Sequence, residues 1–214
     1  MLNALCHVHD DSSPLFLMFH GYGNDEHEMI RVIEAVGRHD PMSYISFRAP
    51  FEREYMGGYS WYPHGCGPEA RRRLADESIG GIRRLLDSPI CRNRPTVCIG
   101  FSQGGYMSLR MVLAEPTMFD AAILMSPSFV GGLSDDERER LMHSRTRFLL
   151  CYGEDDTTIP RADQCRLREC LQRTGRLTYR DYPQTAPAIV APEIQDLREF
   201  IQEMVTHADG RAGT

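Results

Sequence analysis

Several things are scarce or missing in this chain of 214 residues, and each removes a class of function. It has no excess of positive charge: 24 basic side chains stand against 30 acidic ones, for a formal net charge of −6. Non-specific nucleic-acid binding needs a basic footprint, so a nucleic-acid partner is not expected. Runs such as Arg71-Arg72-Arg73 and Arg83-Arg84 are interspersed with acids and read as solvated faces of amphipathic helices, not as phosphate-binding patches. No apolar run approaches the roughly 20 residues needed to cross a bilayer. The opening Met1-Leu2-Asn3-Ala4-Leu5-Cys6 lacks the basic and long apolar regions of a signal peptide. The seven cysteines are odd in number, scattered, and form no C-x-x-C pair. Two of them, Cys98 and Cys151, fall inside apolar runs, where a free thiol behaves as a small apolar residue. A reducing, cytoplasmic location is the expectation. There are no internal repeats and no linker, so residues 1–207 are expected to form one domain, with 208–214 a disordered tail.

What is present is an alternation of short apolar runs and helical stripes. Leu15–Phe19 and Ala121–Met125 read as buried strands, Ser43–Phe47, 95–100, Phe148–Tyr152 and a run beginning at Leu177 as further strands, and residues 2–9 as an edge strand before them. Apolar residues recur at helical spacing over Met29–Val36 and over 69–87, and helices are also expected at 103–114, 161–173 and 192–205. Ser134-Asp135-Asp136-Glu137 is a capping box with an acidic first turn. Residues 50–68 read as one long loop rich in glycine, proline and aromatics, a length that compact domains usually reserve for function. Strands alternating with helices predict an α/β fold with a mostly parallel sheet covered on both faces. In such sheets ligands bind at the carboxyl ends of the strands.

The chemistry-bearing residues all fall at those ends. Gly100-Phe101-Ser102-Gln103-Gly104 follows a strand and opens a helix, the arrangement of a serine-hydrolase nucleophile elbow. Ser102 is the candidate nucleophile and the Gln103 N–H a candidate oxyanion donor. After strand 15–19, His20-Gly21-Tyr22-Gly23 matches the H-G-x-G loop that supplies a second donor, assigned to the Tyr22 N–H. His20 is expected to brace that loop. A triad acid should follow a later strand, and Gly153-Glu154-Asp155-Asp156 offers three carboxylates there. Trp61 lies in an aromatic loop with Tyr55, Tyr59 and Tyr62, expected to wall an apolar pocket.

These motifs resemble the phospholipase/carboxylesterase family, which includes acyl-protein thioesterases and is related to dienelactone hydrolases. The likeness rests on His20-Gly21-Tyr22-Gly23, Gly100 to Gly105, and Gly153 to Pro160 with its Ile159-Pro160 ending, and extends through Ser60-Trp61-Tyr62. It implies a lidless α/β-hydrolase that acts on small acyl esters or thioesters without metal or organic cofactor. It also implies Asp156 as triad acid, and Trp61, Tyr62 and neighbouring His64 beside the substrate pocket.

The resemblance breaks at the base. The family carries a histidine shortly after a Tyr-Pro pair and before the final helix. This chain reads Tyr182-Pro183-Gln184-Thr185-Ala186-Pro187-Ala188. Counting from Tyr182-Pro183 places the histidine at Ala186; counting back from Glu193-Ile194 places it at Pro187. Neither residue accepts a proton. Three explanations stand: an engineered His→Ala change, a natural homologue that binds a ligand silently, or a relocated base, for which His64 is the best of the eight histidines. A transferase or lyase using the same pocket is a further alternative.

Overall fold

The computed structural model describes residues 2–10, 12–38, 40–91, 94–183 and 188–212, with side chains as far as 206. In chain order the elements are β1 (Ala4–His7), β2 (Leu15–Phe19), α1 (His27–Gly37), β3 (Ser43–Phe47), β4 (Phe51–Glu52), β5 (Tyr59–Ser60) and α2 (Pro68–Leu86). They continue as β6 (Thr96–Phe101), α3 (Gln103–Ala114), β7 (Ala121–Met125), α4 (Asp135–His143), β8 (Arg147–Gly153), α5 (Arg161–Gln172), β9 (Leu177–Tyr182) and α6 (Ala191–Ala212).

Seven strands form one sheet in the order β1-β3-β2-β6-β7-β8-β9. β1 pairs antiparallel with β3 at the edge, and all other pairings are parallel. The side-chain period of two explains why the central runs are apolar throughout. In β2, Leu15, Leu17 and Phe19 enter the core on one face, while Phe16 and Met18 enter the core on the other. The first core is shared with buried residues of α2, α3 and α5, such as Ile79, Leu109 and Leu167. The second is shared with α1 and α6 through Met29, Ile33, Leu197 and Phe200. Among the described residues no lid domain is inserted, and no helix is long and apolar enough to cross a membrane.

Two local expectations change. The stretch 50–68 is not structureless: β4 and β5 form an antiparallel hairpin, and Asn24 bridges to Tyr59, tying it to the loop after β2. Strands of two residues are too short for periodicity to reveal. The last helix runs on through 208–212, where composition predicts a tail. The Ser134 capping box forms as expected: its hydroxyl accepts from Glu137 N–H, and the Glu137 carboxylate accepts from Ser134 N–H.

Glycine packing sets opposite expectations for two substitutions. A Cβ on Gly104 would lie 1.9 Å from the Phe19 carbonyl oxygen, a backbone atom that cannot turn away. Gly104→Ala is therefore expected to cost about 3 kcal/mol or more in urea denaturation. Gly80, inside α2, has nothing within 4 Å of its would-be Cβ. Gly80→Ala is expected to stabilise by about 0.5–1 kcal/mol, since it only removes backbone freedom from the unfolded chain.

Candidate active site

Ser102 stands between β6 and α3 with φ 52 and ψ −113, a left-handed conformation that costs a residue bearing a Cβ on the order of 1–3 kcal/mol. The surroundings hold it there. Its N–H donates to the Met125 carbonyl at 2.9 Å, and its own carbonyl accepts from Ser128 N–H at 2.9 Å and Tyr106 N–H at 3.1 Å. A Cβ on Gly100 would lie 2.2 Å from the Gly104 oxygen. So the turn is tight enough to lift Ser102 out of the sheet only because both glycines lack side chains. Gln103 is the first residue of α3, where backbone N–H groups have no acceptor within the helix.

On the β2 side of Ser102 lies the loop 20–24. Its amides at Gly21, Gly23 and Asn24 are all engaged, by Glu28 Oε2 at 2.5 Å, Tyr59 O at 2.8 Å and Gly21 O at 3.3 Å. Among the described residues the Tyr22 N–H has no such acceptor. His20 is fully buried, and both ring nitrogens are occupied. Ala49 N–H donates to Nε2 at 3.0 Å, so the proton sits on Nδ1, which donates to Gly21 O at 2.7 Å. Burial pushes its pKa down, keeping the ring neutral. With no free nitrogen, His20 braces the loop.

The expected pocket walls are placed differently. Trp61 and Tyr62 are 0% and 1% exposed, so they anchor the loop after β5 and present no open surface. The Trp61 indole N–H needs an acceptor when buried and takes the His20 carbonyl at 2.9 Å, while its ring packs edge-on against Phe19. The Tyr62 hydroxyl lies 3.1 Å from Ser128 Oγ, and Arg71 donates to the Ser128 carbonyl at 2.7 Å. His64 is exposed, its ring 5.6 Å from that of Tyr22.

On the other side of Ser102, the sheet brings the acid loop and the expected base loop together. Gly153 pairs with Tyr182 at the ends of β8 and β9, and Glu154 N–H donates to the Tyr182 carbonyl at 2.9 Å. Glu154 and Asp155 are exposed, whereas Asp156 is 7% exposed. Asp156 Oδ1 accepts from the amides of Thr158 at 2.8 Å and Ile159 at 3.2 Å. Its Oδ2 is buried without a hydrogen-bond partner among the described residues. A buried carboxylate oxygen left without a donor costs about 1–3 kcal/mol or more, so it marks where a donor belongs. Ala186 and Pro187, the two positions expected to hold the base, lie outside the described residues. The His64 ring lies against that of Tyr22 in the loop after β2, and among the described residues no hydrogen bond joins it to Asp156.

Two side chains that the motifs did not point to organise the site. Gln103 Oε1 accepts from Trp61 N–H at 2.9 Å while its Nε2 donates to the Tyr62 carbonyl at 3.0 Å, clamping the loop after β5 to the elbow. The Glu28 carboxylate takes both the Gly21 N–H and the Asn24 side-chain amide, and burial pushes its pKa up. G-x-S-x-G specifies backbone shape and is silent on the side chain at x, so only the fold reveals the first. An acid one turn beyond H-G-x-G is a faint signal for the second. Asp25, Glu26 and His27 have ligand atoms within 4.8 Å of one another, but Glu26 is committed to Arg48, so the cluster is poorly suited to a metal ion.

Gln103→Ala removes two buried hydrogen bonds and should cost about 1–3 kcal/mol. Because Trp61 is the only tryptophan, release of its loop should appear as a red shift in fluorescence. Glu193, at the start of α6, is 3% exposed, and burial pushes its carboxyl from 4.5 up to about 7. An acid whose folded pKa is raised binds its proton more tightly when folded. Its contribution is therefore most favourable below about pH 4.5 and is lost as pH rises through about 7. Glu193→Gln should remove that slope and leave the variant about 3 kcal/mol more stable than the parent at pH 8 by chemical denaturation.

A sequence profile of the phospholipase/carboxylesterase family matches residues 4–205. Among curated proteins no match is found. Several solved structures share the fold. The carboxylesterase of Bacillus cereus has a TM-score of 0.75 at 17% identity, covering 95% of each chain. Esterase PE8 has a TM-score of 0.74 at 21% identity, covering 95% of this chain and 98% of the other. SOBER1 of Arabidopsis thaliana has a TM-score of 0.70 at 17% identity, covering 91% of this chain and 99% of the other. At these identities the structures speak for the fold, an α/β-hydrolase sheet, and the profile speaks for the lineage. With the match running over nearly the whole chain, this protein belongs to the phospholipase/carboxylesterase family.

Proposed function

We propose that this chain is built as a serine hydrolase of carboxylic esters or thioesters, working through an acyl-enzyme on Ser102, and that its activity is impaired by loss of the base. The observation that carries the reading is the strained φ of 52 at Ser102, between the loop bearing the unengaged Tyr22 amide and the first turn of α3. Ser102 Oγ attacks the acyl carbon, and the carbonyl oxygen gains the negative charge, which the Tyr22 and Gln103 amides receive. Collapse expels the alcohol or thiol, and water then releases the acid from Ser102. Asp156 orients the base, with Oδ2, which has no partner among the described residues, as the acceptor for that group's N–H. Residues 183–190 contain no histidine, and the chain contains no lysine, so neither imidazole nor amine from this stretch takes the serine proton. Removing a triad member commonly costs about 10⁴-fold or more in rate. No metal or organic cofactor enters this scheme. All seven cysteines are free, in keeping with a reducing cytoplasm.

The missing base also favours a second reading, a binding protein that keeps the pocket and has lost the reaction. One experiment separates the two. A fluorophosphonate should label Ser102, and Ala186→His or Pro187→His should raise p-nitrophenyl acetate turnover by about 10²-fold or more. No gain from either substitution would leave the binding protein as the better account. Brisk turnover in the chain as it stands, abolished by His64→Ala, would instead place the base at His64.

A further inference from the structure

Tyr22, whose amide is the proposed oxyanion donor, turns its ring outward to 38% exposure. Two side chains gather on that ring. The Arg53 guanidinium lies 4.5 Å from its centroid, and the His64 ring lies 5.6 Å away. Arg53 comes from the β4–β5 hairpin, whose backbone packs on the loop after β2: a Cβ on Gly58 would lie 2.0 Å from the Gly23 oxygen. Gly23 itself has φ +82, and a Cβ there would come within 2.2 Å of Arg53 Nη1. So the loop leaves room at this one position for a guanidinium to lie against the rim of the site.

Several arginines of the chain are neutralised by a nearby acid, and Arg53 is not among them. Arg48 pairs with Glu26, Arg72 and Arg110 with Glu137, and Arg83 with Glu115. Among the described residues Arg53 forms no ion pair, and Glu52 and Glu54, its sequence neighbours, are exposed and do not fold back onto it. Its one hydrogen bond is long, Nη1 to the Gly57 carbonyl at 3.5 Å. A guanidinium stacked on an aromatic face keeps the N–H groups of its edge free, in the fork that fits a carboxylate.

We infer that Arg53, seated on Tyr22 beside His64, binds a carboxylate carried by the substrate, so that the site selects acyl esters or thioesters with an anionic end. A planar fork meets a carboxylate through two parallel N–H···O bonds. The net charge of −6 repels anions at long range, so selection comes from this contact and weakens with salt. The inference rests on the acyl-transfer reading of Ser102, and its test separates the two.

Two fluorophosphonates of equal chain length, one ending in a carboxylate and one in a methyl ester, are compared by their rates of Ser102 labelling in the Ala186→His or Pro187→His background, whichever turns over p-nitrophenyl acetate faster. The carboxylate probe is expected to react about 10-fold faster at low ionic strength, with the ratio falling to about one in Arg53→Gln and partly kept in Arg53→Lys. Titration calorimetry with monomethyl adipate reads the same contact without any reaction, and binding should weaken about 10-fold in Arg53→Gln. Equal labelling by both probes, or a preference and an affinity that survive Arg53→Gln, overturns anion selection. Absence of labelling by either probe overturns the nucleophile reading instead, and calorimetry then decides the fate of Arg53 on its own.

Discussion

The first turn of α3 lies directly against the ends of β6 and β2, with no side chain between them. A Cβ on Gly104 would lie 1.9 Å from the Phe19 carbonyl oxygen and one on Gly100 2.2 Å from the Gly104 oxygen, both far inside van der Waals contact. This approach forces the chain to reverse in one residue, and Ser102 bears the left-handed backbone that results. It also brings the free amides of a helix N-terminus to the point where a carbonyl oxygen would become negative. Every other part of the site is arranged around that contact.

The surrounding loops are fastened by buried polar groups with nearly all their valences used. His20 holds Gly21 and Ala49 with its ring and the Trp61 indole with its carbonyl. Gln103 holds Trp61 and Tyr62, and Glu28 holds Gly21 and Asn24. Such networks are rigid because each unmade bond in a buried setting carries a desolvation penalty. Rigidity of this kind leaves the Tyr22 N–H without an acceptor among the described residues and its ring exposed at the rim. Against that background Asp156 Oδ2 stands out, buried and without a partner among the described residues.

The strands and their order of use were legible from the residues themselves. Continuous apolar runs at 15–19 and 121–125 became strands with those same limits, because strands covered on both faces favour apolar side chains throughout. The elbow was legible because two glycines flanking a serine between strand and helix satisfy a steric demand few other sequences meet. The β4–β5 hairpin was not, since two-residue strands carry no period. Trp61 was misread as a pocket wall. An aromatic loop looks the same in sequence whether its rings face a cavity or the core, and its indole N–H settled on a buried carbonyl.

Sequence alone determined the α/β alternation, the seat of Ser102, the candidate acid loop and the lack of an imidazole between Tyr182 and the final helix, because these follow from residue type and spacing within short windows. Tertiary structure alone decided which of three neighbouring carboxylates is buried, that both nitrogens of His20 are spent, that His64 lies against Tyr22, and that Arg53 rests on the Tyr22 ring with no ion pair among the described residues. Those outcomes depend on which strand ends become neighbours. That is set by packing between segments far apart in the chain, which no local pattern encodes.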